Sequence, residues 1–448
     1  MSLYDEASLV MIPSGYKEDK LYSIKPTSGD GDFTFSRGTD TATRVNASGL
    51  IEKERGNLVL QSNSFSTSPF LTSNVSVTSG QAGYDGTNDA WELSTTGVNG
   101  FENLYQNISF TGVHTISVYA KAGSKAYLTI RSLTSDFRVE FKLDDGTHRT
   151  IFGSPINTFM DDAGNGWYRC GFTANFSSAS ALVFYPQQIG IVDAGNIYIQ
   201  DAQLEKGLVA TDYIETTTSA VYEGITDNLP RLDYSGGASC PSLLLEPQRT
   251  NILAHSEYFG STTWTKQTGI TITDNTTDVL SPEGKYNAAK IVSADATKGF
   301  FDNTNSSTAA SVRSIYLRGA VGGETLLLKD ISGFGGILSV TLTTDWVRYE
   351  LATSNTGDTY RGLFVDNISV GTIYAYGAQW EEGSYPTSYI PTYGTSATRA
   401  AEENVNIQNL NTNGVTTANS AYSLFFDLSA EPVLDVADGN SLILNSYN

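Results

Sequence analysis

The side chains that most often perform chemistry are sparse in this 448-residue chain. Three histidines, His114, His148 and His255, stand far apart. None lies in the His-Glu-x-x-His spacing that would set two imidazoles on one helix face around zinc. The sequence has no Cys-x-x-Cys pair, no Gly-x-Ser-x-Gly elbow and no Gly-x-x-x-x-Gly-Lys-Ser/Thr phosphate loop. Ser14-Gly15-Tyr16-Lys17 spells the Ser-x-x-Lys of acylating serines, but in a turn-rich stretch without the companion motifs of such enzymes. A glycosidase needs two carboxylates about 5–10 Å apart across a sugar cleft. With 48 acidic residues some pair always qualifies, so the sequence nominates none. The expectation is a protein without catalytic residues.

Binding chemistry is better represented. Aromatic rings stack on the apolar faces of sugars while amides and carboxylates take the hydroxyls. Trp91, Tyr105, Trp264, Tyr286 and Tyr360 sit in or beside polar, loop-like stretches and are the carbohydrate-binding candidates; core packing is the competing account. Trp167 and Trp346 recur at one position within strand patterns, so a shared core position is expected for them. Asp85, Asp89 and Glu205, the last repeated as Glu381, are weak candidates for a structural Ca²⁺, since carboxylates suit that ion. Their spacing matches no defined calcium loop, and no cofactor is otherwise implied.

The elements that position these residues come in two copies. Asn57-Leu58-Val59-Leu60-Gln61-Ser62 returns as Asn251-Ile252-Leu253-Ala254-His255-Ser256, and Asp85-Gly86 as Glu283-Gly284. Ser117-Val118-Tyr119 returns as Ser314-Ile315-Tyr316, and Trp167-Tyr168-Arg169 as Trp346-Val347-Arg348. Ala202-Gln203-Leu204-Glu205-Lys206-Gly207 with Tyr213-Ile214 returns as Ala378-Gln379-Trp380-Glu381-Glu382-Gly383 with Tyr389-Ile390. The offset drifts from 198 at Asp85 to 176 at Ile197, as insertions between fixed strands would make it. So long a period means duplicated domains, not a solenoid. Arg138 to Leu143 alternates polar and apolar before Asp144-Asp145-Gly146, a half-buried strand running into a turn. Thr115 to Ala120 alternates too, and Ile315 and Leu317 keep the pleat of Val118 and Ala120 in phase. Helical periodicity is almost absent; Asn287–Val292 could give one turn.

Composition agrees with an all-β fold. The chain is 40% hydrophobic with 45 Phe plus Tyr, enough to bury a core, and only 17% charged. A net charge of −21 argues against nucleic acid and anionic membranes, and no stretch approaches the ~20 apolar residues that span a bilayer. Cys170 and Cys240 fall at non-matching places, which excludes a disulfide framework. The N-terminus lacks the basic start and apolar run of a signal peptide. The partition expected is an extended N-terminal arm over 1–43, one jelly-roll sandwich over 44–228, a second over 229–404, and a further β domain or tail from 405 to 448. Leu3, Tyr4, Leu9, Met11, Ile12 and Tyr16 give the arm apolar anchors among charges, so it is expected to order by docking on another chain.

Several segments resemble a known class. These are Arg231-Leu232-Asp233-Tyr234-Ser235, Cys240-Pro241-Ser242-Leu243-Leu244-Leu245-Glu246-Pro247-Gln248-Arg249-Thr250-Asn251, and Ser256-Glu257-Tyr258-Phe259 followed by Trp264-Thr265-Lys266. Phe33-Thr34-Phe35-Ser36-Arg37 opens the pattern, and Ser388-Tyr389-Ile390-Pro391-Thr392 to Thr398-Arg399-Ala400-Ala401 closes it. Over roughly residues 33–404 the chain resembles bacteriophage tail or head fibre and appendage proteins with tandem carbohydrate-binding-module-like domains. The Leu-Leu-Glu-Pro block is intact only in the second copy; the first reads Leu50-Ile51-Glu52-Lys53. The resemblance implies a virion location, a jelly-roll fold, assembly with tail, portal-vertex or capsid proteins, and a homotrimer; it identifies no ligand, and attachment to host-surface glycans is the expectation drawn from the aromatic candidates. A purely architectural spacer or capsid-decorating protein is the alternative, and a polysaccharide-cleaving enzyme a second one.

Overall fold

A computed structural model of the chain describes residues 3–407, apart from 8, 12–14, 18, 26, 30, 238, 331–335, 354–359 and 403–405. The expected domain from 405 to 448 lies almost wholly outside the described residues. One four-residue helix, α1 (Leu3–Glu6), precedes a chain built almost entirely of strands.

The arm folds on its own chain. β1 (Tyr16–Lys17), β2 (Lys20–Leu21) and β3 (Phe33–Thr34) form a small antiparallel sheet that also takes Asn406–Ile407. Leu21 and Phe35 are buried with Leu232, and Met11 packs against them. Arg37 donates to the Leu229 and Thr226 carbonyls. Met11 therefore corrects the expectation of an arm ordered by another chain, because it finds cover with Leu21, Phe35 and Leu232 of its own chain; Tyr16 pairs with Leu21 but stays exposed. Tyr4 is exposed beneath the Lys25 ammonium, and Leu9 is half-buried; Ile12 and the Leu3 side chain lie outside the described residues.

Three short strands lead into the first sandwich: β4 (Thr43–Val45), β5 (Ile51–Lys53) and β6 (Arg55–Asn57). The body follows as β7 (Phe70–Ser73), β8 (Val75–Gln81), β9 (Ala90–Thr96), β10 (Asn103–Ala122), β11 (Tyr127–Thr134), β12 (Phe137–Lys142), β13 (Thr147–Phe152), β14 (Asn157–Gly164), β15 (Trp167–Tyr185) and β16 (Ala194–Lys206). β10 and β15 are long enough to serve both sheets, and they bend where their register shifts between Asn107 and Gly112. One sheet runs β7-β10-β15-β11-β12-β13, and the other β8-β9-β16-β10-β15-β14. β17 (Val221–Glu223) then pairs with β6 and closes the module. Ile116, Val118, Ala120, Val139 and Phe141 all point into the core, as their alternation requires.

The second sandwich repeats this order. Its leading strands are β18 (Leu232–Asp233), β19 (Ser242–Leu243) and β20 (Arg249–Asn251). The sheets are made of β21 (Trp264–Lys266), β22 (Ile270–Thr273), β23 (Ala289–Ser293), β24 (Phe300–Ser307), β25 (Ser311–Gly319), β26 (Thr325–Lys329), β27 (Ile337–Thr341), β28 (Val347–Thr353), β29 (Tyr360–Asp366) and β30 (Gly371–Glu382). They run β21-β24-β29-β26-β27 and β22-β23-β30-β25-β28, and β31 (Ala397–Arg399) closes on β20. Here β24 and β25 together correspond to β10, and β28 and β29 to β15. β13 and β14 have no counterpart, which accounts for most of the drifting repeat offset. The single helical turn expected at Asn287–Val292 is corrected: Ala289–Ser293 is a strand between β22 and β30, because Ile291 must enter the core with the pleat.

Candidate functional site: two equivalent cups

Each sandwich carries the same polar strap, built by the repeated blocks. After β16 or β30 the chain turns at glycine and folds back over the sheet as a Thr-x-Tyr-Ile segment. Glu205 accepts from the Thr211 amide (2.9 Å), the Thr211 hydroxyl (2.6 Å) and Gln203 Nε2 (2.8 Å). Glu381 accepts the matching three from Thr387 and Gln379 at 2.7, 2.6 and 2.7 Å. Asn57 donates to the Ala202 and Ile214 carbonyls at 2.9 and 2.8 Å, and Asn251 to those of Ala378 and Ile390 at 3.1 and 2.8 Å. Ser62 meets the Tyr213 hydroxyl, and Ser256 that of Tyr389, at 2.6 Å in both modules. Every buried polar atom in the strap needs its partner, which is why these residue types recur together. Burial pushes the Glu205 carboxyl up in pKa, against its bonds to Thr211 and Gln203. Glu205 is thus a strap residue and not a calcium ligand, a correction of the sequence expectation.

In the second sandwich the strap, Glu257 and the loop at Pro282–Glu283 enclose a cup, and β5 from the start of the first module fills it. Lys53 Nζ donates to Glu257 Oε1 and Oε2 at 2.9 and 3.2 Å and to the Tyr393 hydroxyl at 2.7 Å, and lies 2.9 Å from Glu283 Oε2. Tyr376 and Tyr389 donate their hydroxyls to Glu257 at 3.2 and 2.9 Å. Ile51 packs among Tyr376, Tyr389, Tyr316 and Trp346, and its amide donates to the Pro282 carbonyl at 2.9 Å. Burial alone would drive the Lys53 ammonium down in pKa; the Glu257 and Glu283 charges outweigh it and hold it well above its ordinary value. The Val113 amide donates to the Tyr393 carbonyl (2.8 Å) and Asn275 to the Leu208 carbonyl (2.6 Å), so further bonds cross the same junction.

The first sandwich has the same cup with different contents. Asp85 stands at the place of Glu283, Asn63 at that of Glu257, Tyr84 at that of Pro282, and Asp201 at that of Gly377. The Tyr84 ring stacks on Tyr119 at 3.7 Å, 6° from parallel, and meets Trp167 edge-on, so it covers the floor that Ile51 covers in the second module. Its hydroxyl donates to Asp201 Oδ2 at 2.9 Å. Asp201 is 6% exposed and sits at φ 55°, the left-handed conformation that Gly377 adopts at φ 59°. Aspartate is one of the few residues other than glycine that takes this conformation readily. Burial, and then the Asp89, Asp85 and Glu215 charges, push its carboxyl up to about 7, although the Tyr84 bond opposes them. Asp85 and Asp89 are exposed and share the Thr87 hydroxyl, while Gln200 and Asn63 donate to Asp89 at 2.8 and 3.2 Å. Among the described residues no lysine or arginine pairs with Asp85, Asp89 or Asp201. Nor do three His, Cys, Asp or Glu side chains there stand where they could share a metal ion.

The aromatic candidates are not brought together. Trp91 borders the first cup, bonding the Asn63 carbonyl at 3.1 Å, but its ring packs on the core. Tyr105 lies half-buried against Ala181, Val183 and Tyr185. Trp264 is 1% exposed, with its indole N–H on the His255 carbonyl, so it cannot stack on a sugar; this is a correction, and its ring belongs to the second core. Tyr286 is exposed on the loop beside the second cup. Tyr360 opens β29, and its side chain lies outside the described residues. The shared core position expected for Trp167 and Trp346 is half right: Trp167 is buried, while Trp346 sits half-buried at the module junction. Sequence reasoning missed Tyr84 and Asp201. Their signal was the mismatch of an aspartate against Gly377 just before a repeated block.

A separate concavity of about 260 Å³ opens on β11, β12 and β13 of the first sandwich. Tyr127 offers a ring at its wall, and the buried Glu140 accepts from Arg149 Nε at 2.8 Å and Gln188 Nε2 at 3.1 Å.

No family model and no curated protein matches the chain. Among solved structures, the CBM22-1-CBM22-2 tandem domain of Paenibacillus barcinonensis Xyn10C aligns at 11% identity, covering 78% of this chain and 100% of that one, with a TM-score of 0.24. The arabinofuranosyltransferase AftD from Mycobacteria aligns at 10% identity over 85% of this chain and 32% of that one, TM-score 0.18. The Momordica charantia 7S globulin aligns at 7% identity over 73% and 85%, TM-score 0.12. Likenesses this slight carry no functional weight.

Proposed function

We propose that the chain is a non-catalytic part of a bacteriophage virion, a tail or head fibre or appendage subunit that contributes to host-surface glycan attachment. The observation that supports this most is the junction: Ile51 and Lys53 reach out of one sandwich and are buried in the next, which fixes two β-sandwich modules against each other. The sequence motifs supply the virion location, assembly with other virion proteins and a trimeric state. The groove at Tyr127, Glu140, Arg149 and Gln188 favours glycan contact, since it combines one ring for stacking with fixed polar groups for hydroxyls.

Immunogold labelling of purified virions tests the location, and absence from particles ends the reading. A glycan array with the full chain tests attachment: a hit lost in Tyr127→Ala supports the groove, while no hit leaves an architectural spacer or decorating protein. Release of reducing ends from host polysaccharide by the pure protein would replace the proposal with an enzyme.

A further inference from the structure

We infer that the acidic rim of the first cup, where Asp85 and Asp89 are exposed, docks a lysine-bearing extended segment of a partner protein. The inference stands on the internal duplication and not on the virion reading. The sister cup shows what this site holds: a lysine from outside its own module, gripped by Glu257 and Glu283. The first cup keeps a carboxylate at the Glu283 position, Asp85, and adds Asp89 and Asp201 around it. Asp201 is more than nine-tenths buried, and its carboxyl has the Tyr84 hydroxyl as donor and no cation among the described residues. A buried carboxyl without a counter-charge costs free energy, and such groups concentrate where something binds. Tyr84 already covers the floor, so the occupant needs to supply the cation and not the isoleucine.

A second copy fits poorly. Its segment equivalent to Ile51-Glu52-Lys53 is Leu245-Glu246-Pro247, with proline where the lysine stands. Charge complementarity therefore selects a basic segment of a different protein.

The test uses the full chain and a capped peptide copying Gly49-Leu50-Ile51-Glu52-Lys53-Glu54, the segment seated in the sister cup, with Glu52→Gln and Glu54→Gln so that lysine is its one charge. Backbone amide NMR is followed up to about 5 mM peptide, above the ~1 mM dissociation constant that a few contacts give. The expected result is shifts at Thr87, Asp89 and Asp201, at least about tenfold weaker with the Lys53→Gln peptide and with the Asp85→Asn/Asp89→Asn protein, whose exposed substitutions leave the fold intact. Equal shifts with both peptides, shifts elsewhere, or none at all overturn the inference. So does calcium chloride moving the same amides below the peptide's concentration, which makes the cup a metal site. A dimer lost in the double variant on sedimentation overturns it too, in favour of a second copy.

Discussion

In the second sandwich a lysine and an isoleucine from the preceding module complete the cup that the strap builds. In the first, a tyrosine from the module's own loop covers the same floor, and three carboxylates have no cation among the described residues. The straps beneath them are superimposable in their bonding, so the difference lies in a few loop positions and not in the scaffold. Duplication gave two identical frames. One became an internal joint, and its sibling kept a surface that invites a charged visitor.

The largest expected effect comes from emptying the joint. Lys53→Met leaves Glu257 and Glu283 buried without their cation and should cost about 3 kcal/mol or more. Urea unfolding should show that loss, and combining it with Glu257→Gln and Glu283→Gln should recover much of it. Next come the straps: Asn57→Ala and Asn251→Ala each strand buried carbonyls and amides, and should cost about 2–3 kcal/mol apiece, nearly equally. A large inequality in the two melting shifts would break the equivalence of the frames.

The pH response separates the cups. The folded carboxyl of Asp201 sits near 7, above its unfolded value, so its contribution is full in acid and is lost as pH rises through 7. His114 and His255, pushed down to about 4 by burial, act in the opposite sense: their contribution is full above the ordinary histidine value and fades as pH falls toward 4. Asp201→Gly should therefore raise the melting temperature more at pH 8 than at pH 5. The smallest effect is expected at Arg55, whose exposed pair with Glu223 has no counterpart at Arg249 and Arg399; Arg55→Ala should move stability by about 0.5 kcal/mol or less.

Much of the frame was legible in the sequence because pleated cores impose period two. Ile116, Val118 and Ala120 and their partners Ile315 and Leu317 could not slip without turning the core outward. The strap was visible as repeated blocks but not as a network, since Gln203, Glu205 and Thr211 earn their bonds only when the chain folds back. The cups were less legible. Lys53 reaches its acids across 204 residues of sequence, a pairing that no local pattern encodes. Trp264 looked like a surface ring because polar residues flank it, and the core took it through one face of a short strand. Asp201 lies just before the repeated Ala202 block, outside the stretch whose identity marks the duplication.

The two sandwiches are siblings joined by burial of Ile51 and Lys53 in the second cup. Pulsed electron-spin distance measurement between one label on each sandwich, in the full chain and in Lys53→Gln, tests it most directly. A single narrow distance in the native chain that broadens in the variant is the predicted result. A distribution already broad in the native chain, or one indifferent to the substitution, would contradict it.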